Sequence, residues 1–256
     1  MRLMFLNHTH RREGGPEREQ RILKLLNSYA SAGTVVEIHY PDDLGAGDVQ
    51  QALEQGNALA GLHHILETPA LVKKIMEAER AGFDAVVQSN TFDPGVEAAR
   101  LAVRIPVVGV LRSSCQFAAC LCDRFGLIAP TDSYVPYVWR LVENYRMAKF
   151  VSEIRPLKFS EHDIPKERAR AVERIVAVSR EMIAAGAQAI IPLGGNVVPY
   201  QISPEELEPQ IGAPVINTKA VGIRFAELMI VSKVTHSQIA YPWSPGLRPD
   251  AVVKRS

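Results

Sequence analysis

The sequence predicts an α/β protein of two similar lobes, each a mostly parallel sheet flanked by helices. Two observations support this fold class: helical segments with one apolar face alternate with short apolar runs, and the same order of segments occurs twice. The apolar runs are continuous rather than alternating, which is typical of parallel strands that are buried on both faces.

The first half of the chain supplies the segments of one lobe. A helix is predicted where apolar residues recur at helical spacing, as at Ile22, Leu25 and Tyr29 before Gly33, a residue suited to ending a helix. Short β-branched or apolar runs between turn residues are predicted to be strands. The predicted strands cover residues 3–6, 34–39, 85–87 and 105–110, and the predicted helices cover residues 17–32, 69–81 and 94–103.

The second half repeats this order. Residues 166–185 contain no Gly or Pro and are predicted to form a long helix. The tail at residues 241–256 contains several prolines and is predicted to be a surface arm or an interface strap. The other predicted strands cover residues 125–129, 189–193 and 214–217, and the other predicted helices cover residues 134–145, 204–211 and 221–234.

The repeat is visible in the letters. One copy is AGFDAVV at residues 81–87 followed by PVV at 106–108, and the other is AGAQAII at 185–191 followed by PVI at 214–216. We therefore expect two lobes related by a pseudo-twofold axis. Lobe one is predicted to comprise residues 1–111 plus 213–256 and lobe two residues 112–212, with the active site in the cleft between them.

The composition argues against several classes of partner. The 29 lysines and arginines nearly balance the 28 aspartates and glutamates, so no net field favours nucleic acid or a membrane surface. No apolar stretch approaches the roughly 20 residues that span a bilayer, and none resembles a signal peptide. The three cysteines are odd in number and close together, which argues against disulfides. A cytoplasmic location is expected.

Polar and glycine residues follow the predicted strands. In open parallel sheets, ligands bind beyond the carboxyl ends of the strands, where helix N-termini favour anions. We expect these segments to converge at one cleft. They comprise Asn7, His8 and His10 after the first strand, Ser89, Asn90 and Thr91, then Arg112 and Ser113, Gly194, Gly195 and Asn196, and finally Asn217, Thr218 and Lys219.

Four segments of the chain together resemble the Asp/Glu racemase superfamily: residues 86–95, 106–109, 124–126 and 185–195. The hydantoin racemase branch is the most similar, because it shares the motif Asp93-Pro94-Gly95. The resemblance implies a cofactor-independent isomerase, homo-oligomeric, acting on a small carboxylate or cyclic ureide. In this family two cysteines, one per lobe, remove and return the proton on opposite faces of the substrate carbon.

The sequence departs from the family at both cysteines. The first position falls on Ser89 or Asn90, and the second on Gly194 or Gly195, so the two-thiol mechanism does not transfer. An alcohol forms little alkoxide at neutral pH and is a poor base without a partner. Cys115 is the nearest remaining thiol, at a predicted helix start. Its alternative interpretation is a small buried filler, together with Cys120 and Cys122.

The other candidates each have a functional and a structural interpretation. Ser89, Asn90 and Thr91 are predicted to stabilise an enolate by hydrogen bonding, or else to cap a turn. Gly194, Gly195 and Asn196 allow close approach of the backbone to a ligand, or form a tight turn. Arg112 is predicted to clamp a carboxylate, or to form a surface ion pair. Lys219 is predicted to anchor an anion or act as a base, or to be a solvated lysine at a helix start.

Histidines are candidates for the missing proton-transfer groups. His8 and His10 follow the first strand, and imidazole titrates near neutrality. The same pair could hold a metal ion with a third ligand, a possibility that His63 and His64 strengthen slightly. The alternative is that these histidines lie on an ordinary surface.

These observations predict an isomerase that acts next to a carbonyl through an enolate-type intermediate. The alternatives are a decarboxylase, a lyase or a metal-assisted hydrolase on the same fold, or a non-catalytic protein that binds a small acid.

Overall fold

The computed structural model describes residues 1–7, 15–42, 61–159, 163–194 and 196–252. The chain divides into two compact units: Met1–Val110 with Gly222–Ser256 form the first, and Leu111–Val221 form the second. Each unit is considered by itself below. His8, His10 and Gly195 lie outside the described residues.

Parallel sheets form the centre of both units. The first sheet contains β1 (Arg2–Leu6), β2 (Val35–His39), β3 (Ala85–Gln88) and β4 (Val107–Gly109) in the order β2-β1-β3-β4. The second contains β5 (Phe125–Ala129), β6 (Val151–Pro156) and β7 (Ile190–Pro192) in the order β6-β5-β7. A parallel bridge between Ile190 and Val215 extends the second sheet on its β7 side. Because the strand order is the same in both units, the predicted fold class is confirmed.

Helices connect the strands, and each unit has its own apolar core. Leu71, Ile75 and Val86 belong to the core of the first unit, and Ile128, Ile175 and Leu207 to that of the second. No helix in the described part of the chain is both long and apolar enough to cross a bilayer. The helices are α1 (Gly15–Tyr29), α2 (Leu62–Arg80), α3 (Val96–Arg100), α4 (Val110–Leu121), α5 (Val135–Asn144), α6 (Ile164–Ala184), α7 (Pro204–Ile211), α8 (Thr218–Val231) and α9 (Pro249–Val252).

Helix α2 begins seven residues before the predicted start at residue 69 (Leu62 against Pro69). The prediction was wrong because Pro is favoured in the first turn of a helix and lacks the N–H that an interior position donates. Here Pro69 is inside the helix, and residues on both sides of it are buried on one face. The gain from this burial outweighs one lost hydrogen bond, and it brings His63 and His64 into the fold.

Three strands of the structure also differ from the prediction. Strand β6 was missed because its Ser, Glu and Arg residues do not form an apolar run, as is common for a strand at a sheet edge. The strand predicted at residues 105–110 ends at Gly109, because Val110 already begins α4. The strand predicted at residues 214–217 is reduced to the single bridge at Val215.

The outer edge of β4 is covered by side chains. The N–H of Val107 donates to His236 Nε2 at 2.6 Å, and its carbonyl oxygen accepts from Arg100 Nε at 3.2 Å and Nη2 at 3.1 Å. The described part of the tail continues along the same unit, where the indole of Trp243 donates to the carbonyl of Ala102 at 3.1 Å. The tail is therefore bound to its own unit over this stretch.

Candidate active site

Two predicted site residues meet at the ends of β1 and β3. The strand order reverses between these neighbours, and ligands bind at such a point in open α/β sheets. Leu6 pairs with Gln88 in the register, which places Asn7 beside Ser89. The Ser89 hydroxyl donates to Asn7 Oδ1 at 2.7 Å, and the N–H of Asn7 donates to the carbonyl of His39 at 2.9 Å. Asn7 and Ser89 are thus fixed by both backbone and side chain.

The loop after β3 is held by two amide side chains. Gln88 Oε1 accepts the N–H of Asn90 at 2.8 Å, and Gln88 Nε2 donates to the carbonyl of Pro94 at 3.2 Å. Asn90 Oδ1 accepts the N–H of Phe92 at 2.9 Å. Ser89, Asn90 and Thr91 are all buried. Asn90 therefore shapes the turn, as the structural interpretation predicted, and part of its amide is left for other contacts.

The Asp93-Pro94-Gly95 motif has a local structural requirement. Asp93 and Gly95 adopt positive φ angles of 52° and 74°, which Gly tolerates and Asp adopts more readily than most residues. The Asp93 carboxylate is buried against Gly109, where an added Cβ would lie 2.5 Å from Oδ2. The carboxylate therefore lies next to the residue that precedes α4, where the positive end of a helix dipole favours an anion.

His64 contacts Asn90 and was not predicted as a site residue of this kind. Its Nε2 lies 3.2 Å from Asn90 Nδ2, and its ring stacks on Phe92 at 5.2 Å between centroids. The centre of the His63 ring lies 3.8 Å from the centre of the His64 ring. Both histidines are buried. The sequence analysis named both histidines, but the helix predicted to start at Pro69 did not include them, so their contact with Asn90 was not expected.

The metal hypothesis stays a prediction. Among the described residues, no group of three or more His, Cys, Asp or Glu side chains is arranged to hold a metal ion. His8 and His10, on which the hypothesis depended, lie outside those residues.

In the second unit, Gly194 lies at the equivalent end of β7. Its φ angle is 88°, and an added Cβ would lie 3.6 Å from Pro130 Cγ, just beyond the end of β5. The Gly194 carbonyl accepts the N–H of Val197 at 3.0 Å, which closes a turn. The Asn196 carbonyl accepts from Gln201 Nε2 at 2.7 Å. The glycine position therefore begins a tight turn at the strand end.

Three further candidates, Arg112, Ser113 and Cys115, lie on α4. The Arg112 guanidinium carbon is 5.5 Å from the centre of the Tyr145 ring, which indicates a cation–π contact. Ser113 is buried, and Cys115 is fully buried. Cys120 on the same helix is exposed. The roles predicted for Arg112, Ser113 and Cys115 remain predictions.

Lys219 is buried at the start of α8, with only 1% of its surface exposed. The interpretation as a solvated lysine is therefore wrong. Its Nζ lies 6.0 Å from the centre of the Tyr200 ring. Asn217 caps the helix, because its Oδ1 accepts the N–H groups of Lys219 at 3.2 Å and Ala220 at 3.1 Å. Burial excludes a solvated surface position for this ammonium, and the roles predicted for Lys219, anion anchor or base, stay predictions.

The described candidates divide between the two units. Asn7, Ser89, Asn90 and Thr91 belong to the first unit, and they lie together. The second unit supplies Arg112, Ser113, Cys115, Gly194, Asn196 and Lys219. The convergence of the two sets in one cleft stays a prediction.

Comparison with known proteins identifies relatives. The chain is 28% identical over 166 residues to the hydantoin racemase of Pseudomonas sp. (strain NS671). The matched residues make up 64% of this chain and 66% of that protein, so the chain covers just under two thirds of the relative's length. It is 27% identical over 187 residues to the hydantoin racemase of Rhizobium meliloti, covering 71% of this chain and 76% of that protein.

The fold resembles a solved structure over nearly its whole length. Allantoin racemase from Pseudomonas fluorescens superimposes with a TM-score of 0.80 at 19% identity, covering 97% of this chain and 99% of the other. This likeness shows the fold. The sequence profile of the Asp/Glu/Hydantoin racemase family matches residues 30–226. The chain therefore belongs to the Asp/Glu/hydantoin racemase family, a family of isomerases, as its motifs predicted.

Proposed function

We propose that the protein is a racemase that acts on a cyclic ureide of the hydantoin class. Membership of the family supports racemase activity on a small substrate. The names of its relatives, hydantoin racemase and allantoin racemase, support the ureide. Both substrate names denote compounds with a hydantoin ring, in which the ring carbon that bears the substituent adjoins a carbonyl. Loss of the proton from that carbon gives an enolate.

The observation that carries this proposal is the neutral cluster at the ends of β1 and β3. Asn7, Ser89 and Asn90 present amide and hydroxyl groups there, with Ser89 bonded to Asn7 at 2.7 Å. A ureide ring offers both N–H donors and carbonyl acceptors, so a set of amides and hydroxyls matches it. Because the Ser89 hydroxyl gives its proton to Asn7, the amide N–H groups of Asn7 and Asn90 are the proposed donors to the enolate oxygen, and oriented donors of this type stabilise the negative charge that develops there.

The reaction requires a proton to leave one face of the ring carbon and another to arrive at the opposite face. In the family, one cysteine thiol acts on each face. In this chain the first cysteine position is Ser89 or Asn90 and the second is Gly194 or Gly195. We therefore propose that this chain moves the proton without a pair of thiols. The proposed proton carriers come from among His8, His10 or Cys115, and no cofactor is needed for an acid–base step of this kind. Lys219 is proposed to bind the anionic form of the ring.

Deuterium exchange tests the proposal. An enantiopure 5-substituted hydantoin and allantoin are each incubated with the protein in D₂O, and loss of the ring C–H signal is followed by NMR together with optical rotation. A sample without protein corrects for spontaneous exchange. We expect catalysed exchange that accompanies racemisation, and a loss of about 100-fold in Asn90→Ala, as for removal of one transition-state donor.

The exposed Asn144 provides a matched control, since Asn144→Ala removes the same group from the end of α5. This variant should exchange at the wild-type rate. If the wild-type protein catalyses exchange with neither ureide, the proposed substrate class is wrong. Exchange with aspartate or glutamate alone would instead identify an amino acid racemase.

A further inference from the structure

The orientation of the Asn90 side chain is determined by its neighbours. Asn90 Oδ1 accepts the backbone N–H of Phe92 at 2.9 Å. Because a backbone N–H can only donate, the atom that faces Phe92 must be the amide oxygen. The other atom, 3.2 Å from His64 Nε2, is therefore the NH₂ group. An amide flip would place NH₂ against N–H and carbonyl oxygen against the ring.

The same contacts determine the direction of the bond to His64. The NH₂ group of Asn90 donates, so His64 Nε2 must accept with its lone pair. The ring proton then resides on Nδ1, because a neutral imidazole carries one N–H. His64 thus uses its lone pair to take one of the two N–H groups of Asn90, and the second remains for another acceptor.

The His64 ring is held in place by packing. It is 97% buried, with 3% exposed. It stacks on Phe92 at an interplanar angle of 28°, and it contacts the His63 ring at 50° with 3.8 Å between centroids. Aromatic contacts on two sides restrict rotation of the imidazole. Phe92 also supplies the N–H that orients Asn90, so one residue braces both partners.

We infer that His64 is a positioning residue that fixes Asn90 as a hydrogen-bond donor toward the bound ureide or its enolate. This inference rests on the proposed function. In this role His64 acts through Asn90, toward which its Nε2 is directed. The consequence for the reaction is that Asn90, one of the two residues that match the family's first cysteine, stabilises negative charge. Other groups then move the proton.

Substitutions at His64 separate the acceptor from the packing. His64→Phe retains an aromatic ring against Phe92 and removes the acceptor, whereas His64→Gln places an amide oxygen near the position of Nε2. His63→Phe is the matched control, because it replaces the adjacent buried imidazole with another aromatic ring that can pack against His64.

The expected result is a specific pattern in the exchange assay. His64→Phe should lower kcat at least about tenfold, less than the roughly 100-fold loss for deleting a donor outright, with KM changed much less. His64→Gln should restore most of kcat, and it should remove any acid limb of the pH profile that comes from protonation of His64 Nε2. His63→Phe should behave like the wild type. Equal activity of His64→Phe and the wild type, or equal losses in His64→Phe and His64→Gln, would overturn the inference.

A spectroscopic measurement tests the inference independently of turnover. In ¹⁵N-labelled wild-type protein, His64 should show a protonated Nδ1 and an unprotonated Nε2, and the Nε2 resonance should shift in Asn90→Ala. If the wild type exchanges no substrate proton, the proposed function is wrong. The nitrogen resonances still show whether His64 accepts the hydrogen bond from Asn90. A proton on Nε2, or nitrogen shifts that Asn90→Ala leaves unchanged, would refute the inferred bond.

Discussion

The hydroxyl of Ser89 donates to the amide oxygen of Asn7 at 2.7 Å, joining residues 82 positions apart in the chain. The contact follows from the parallel pairing of β1 with β3, in which Leu6 lies opposite Gln88. It turns two separate strand ends into one polar surface.

A double-mutant cycle measures this contact. We expect Ser89→Ala and Asn7→Ala each to lower the free energy of unfolding, and the two changes to be non-additive by about 0.5–1.5 kcal/mol, the typical net value of one hydrogen bond. Urea unfolding of the wild type, both single variants and the double variant gives this coupling. Strict additivity would contradict the bond.

Gly109 is predicted to be indispensable because of Asp93. A Cβ at Gly109 would lie 2.5 Å from Asp93 Oδ2, which is closer than atoms in van der Waals contact can approach. Gly109→Ala should therefore cost about 1–3 kcal/mol of unfolding free energy, the usual range for overpacking. Denaturant unfolding of the purified variant provides the measurement.

Two further variants establish the cause of that loss. Gly246→Ala is the control, because no atom lies within 4 Å of its added Cβ, and its stability should be unchanged. Asp93→Gly removes the carboxylate at a position with a φ of 52°, which Gly tolerates. In this background Gly109→Ala should cost much less, and an undiminished cost would point to another clash.

Lys219→Met removes a buried charge and retains a long apolar side chain. If Lys219 binds the anionic form of the ring, the loss of a charge-assisted hydrogen bond of roughly 1.5–3 kcal/mol should raise KM about ten- to a hundredfold. Steady-state racemisation kinetics give KM, and the exposed Lys166 provides the control variant Lys166→Met. A KM equal to that of the wild type would exclude Lys219 from substrate binding.

Glu227 should make the stability of the first unit dependent on pH. Burial by itself raises the pKa of this carboxyl, but hydrogen bonds, first that from the Ser31 N–H and then those from the Thr34, Ser31 and Arg224 side chains, outweigh it, so the pKa is lowered in the folded protein. The Ser31 N–H and hydroxyl lie 2.7 and 2.9 Å from its oxygens, and Arg224 Nη1 lies 3.0 Å away.

A lowered folded pKa means that this stabilisation is complete above the unfolded pKa, about 4.3 for Glu, and is lost as the pH falls through the folded value. Glu227→Gln should therefore be less stable than the wild type at neutral pH, and the difference should shrink under acid conditions. Urea unfolding at several pH values checks this, with the exposed Glu173→Gln as control. A difference that is independent of pH would show that the charge of Glu227 is not responsible.

Local sequence signals predicted the first and last residues of some elements correctly. Helix α7 was predicted at residues 204–211 and is found there, because Ser203 Oγ accepts the N–H of Glu206 at its start and Gly212 ends it at a φ of 79°. These signals lie within a few residues of the helix, so the sequence contains them in full. The strand ends that supply Asn7 and Ser89 were predicted for the same reason.

Contacts between distant segments were not predictable in this way. The bond between Asn90 and His64 joins a loop to the first turn of α2, and it depends on a helix that continues through Pro69. Local signals placed the helix start at the proline, a residue that is favoured in the first turn. Only the burial of the whole face in the folded unit extends the helix to His64, and that burial is a property of the tertiary structure.

Both backbone groups of Val107 at the outer edge of β4 are occupied by side chains, the N–H by His236 and the carbonyl by Arg100. An outermost strand with bare backbone groups is a template for addition of a foreign strand, and thus for aggregation. A chain truncated before His236 is therefore expected to self-associate before it loses its fold, which light scattering would detect.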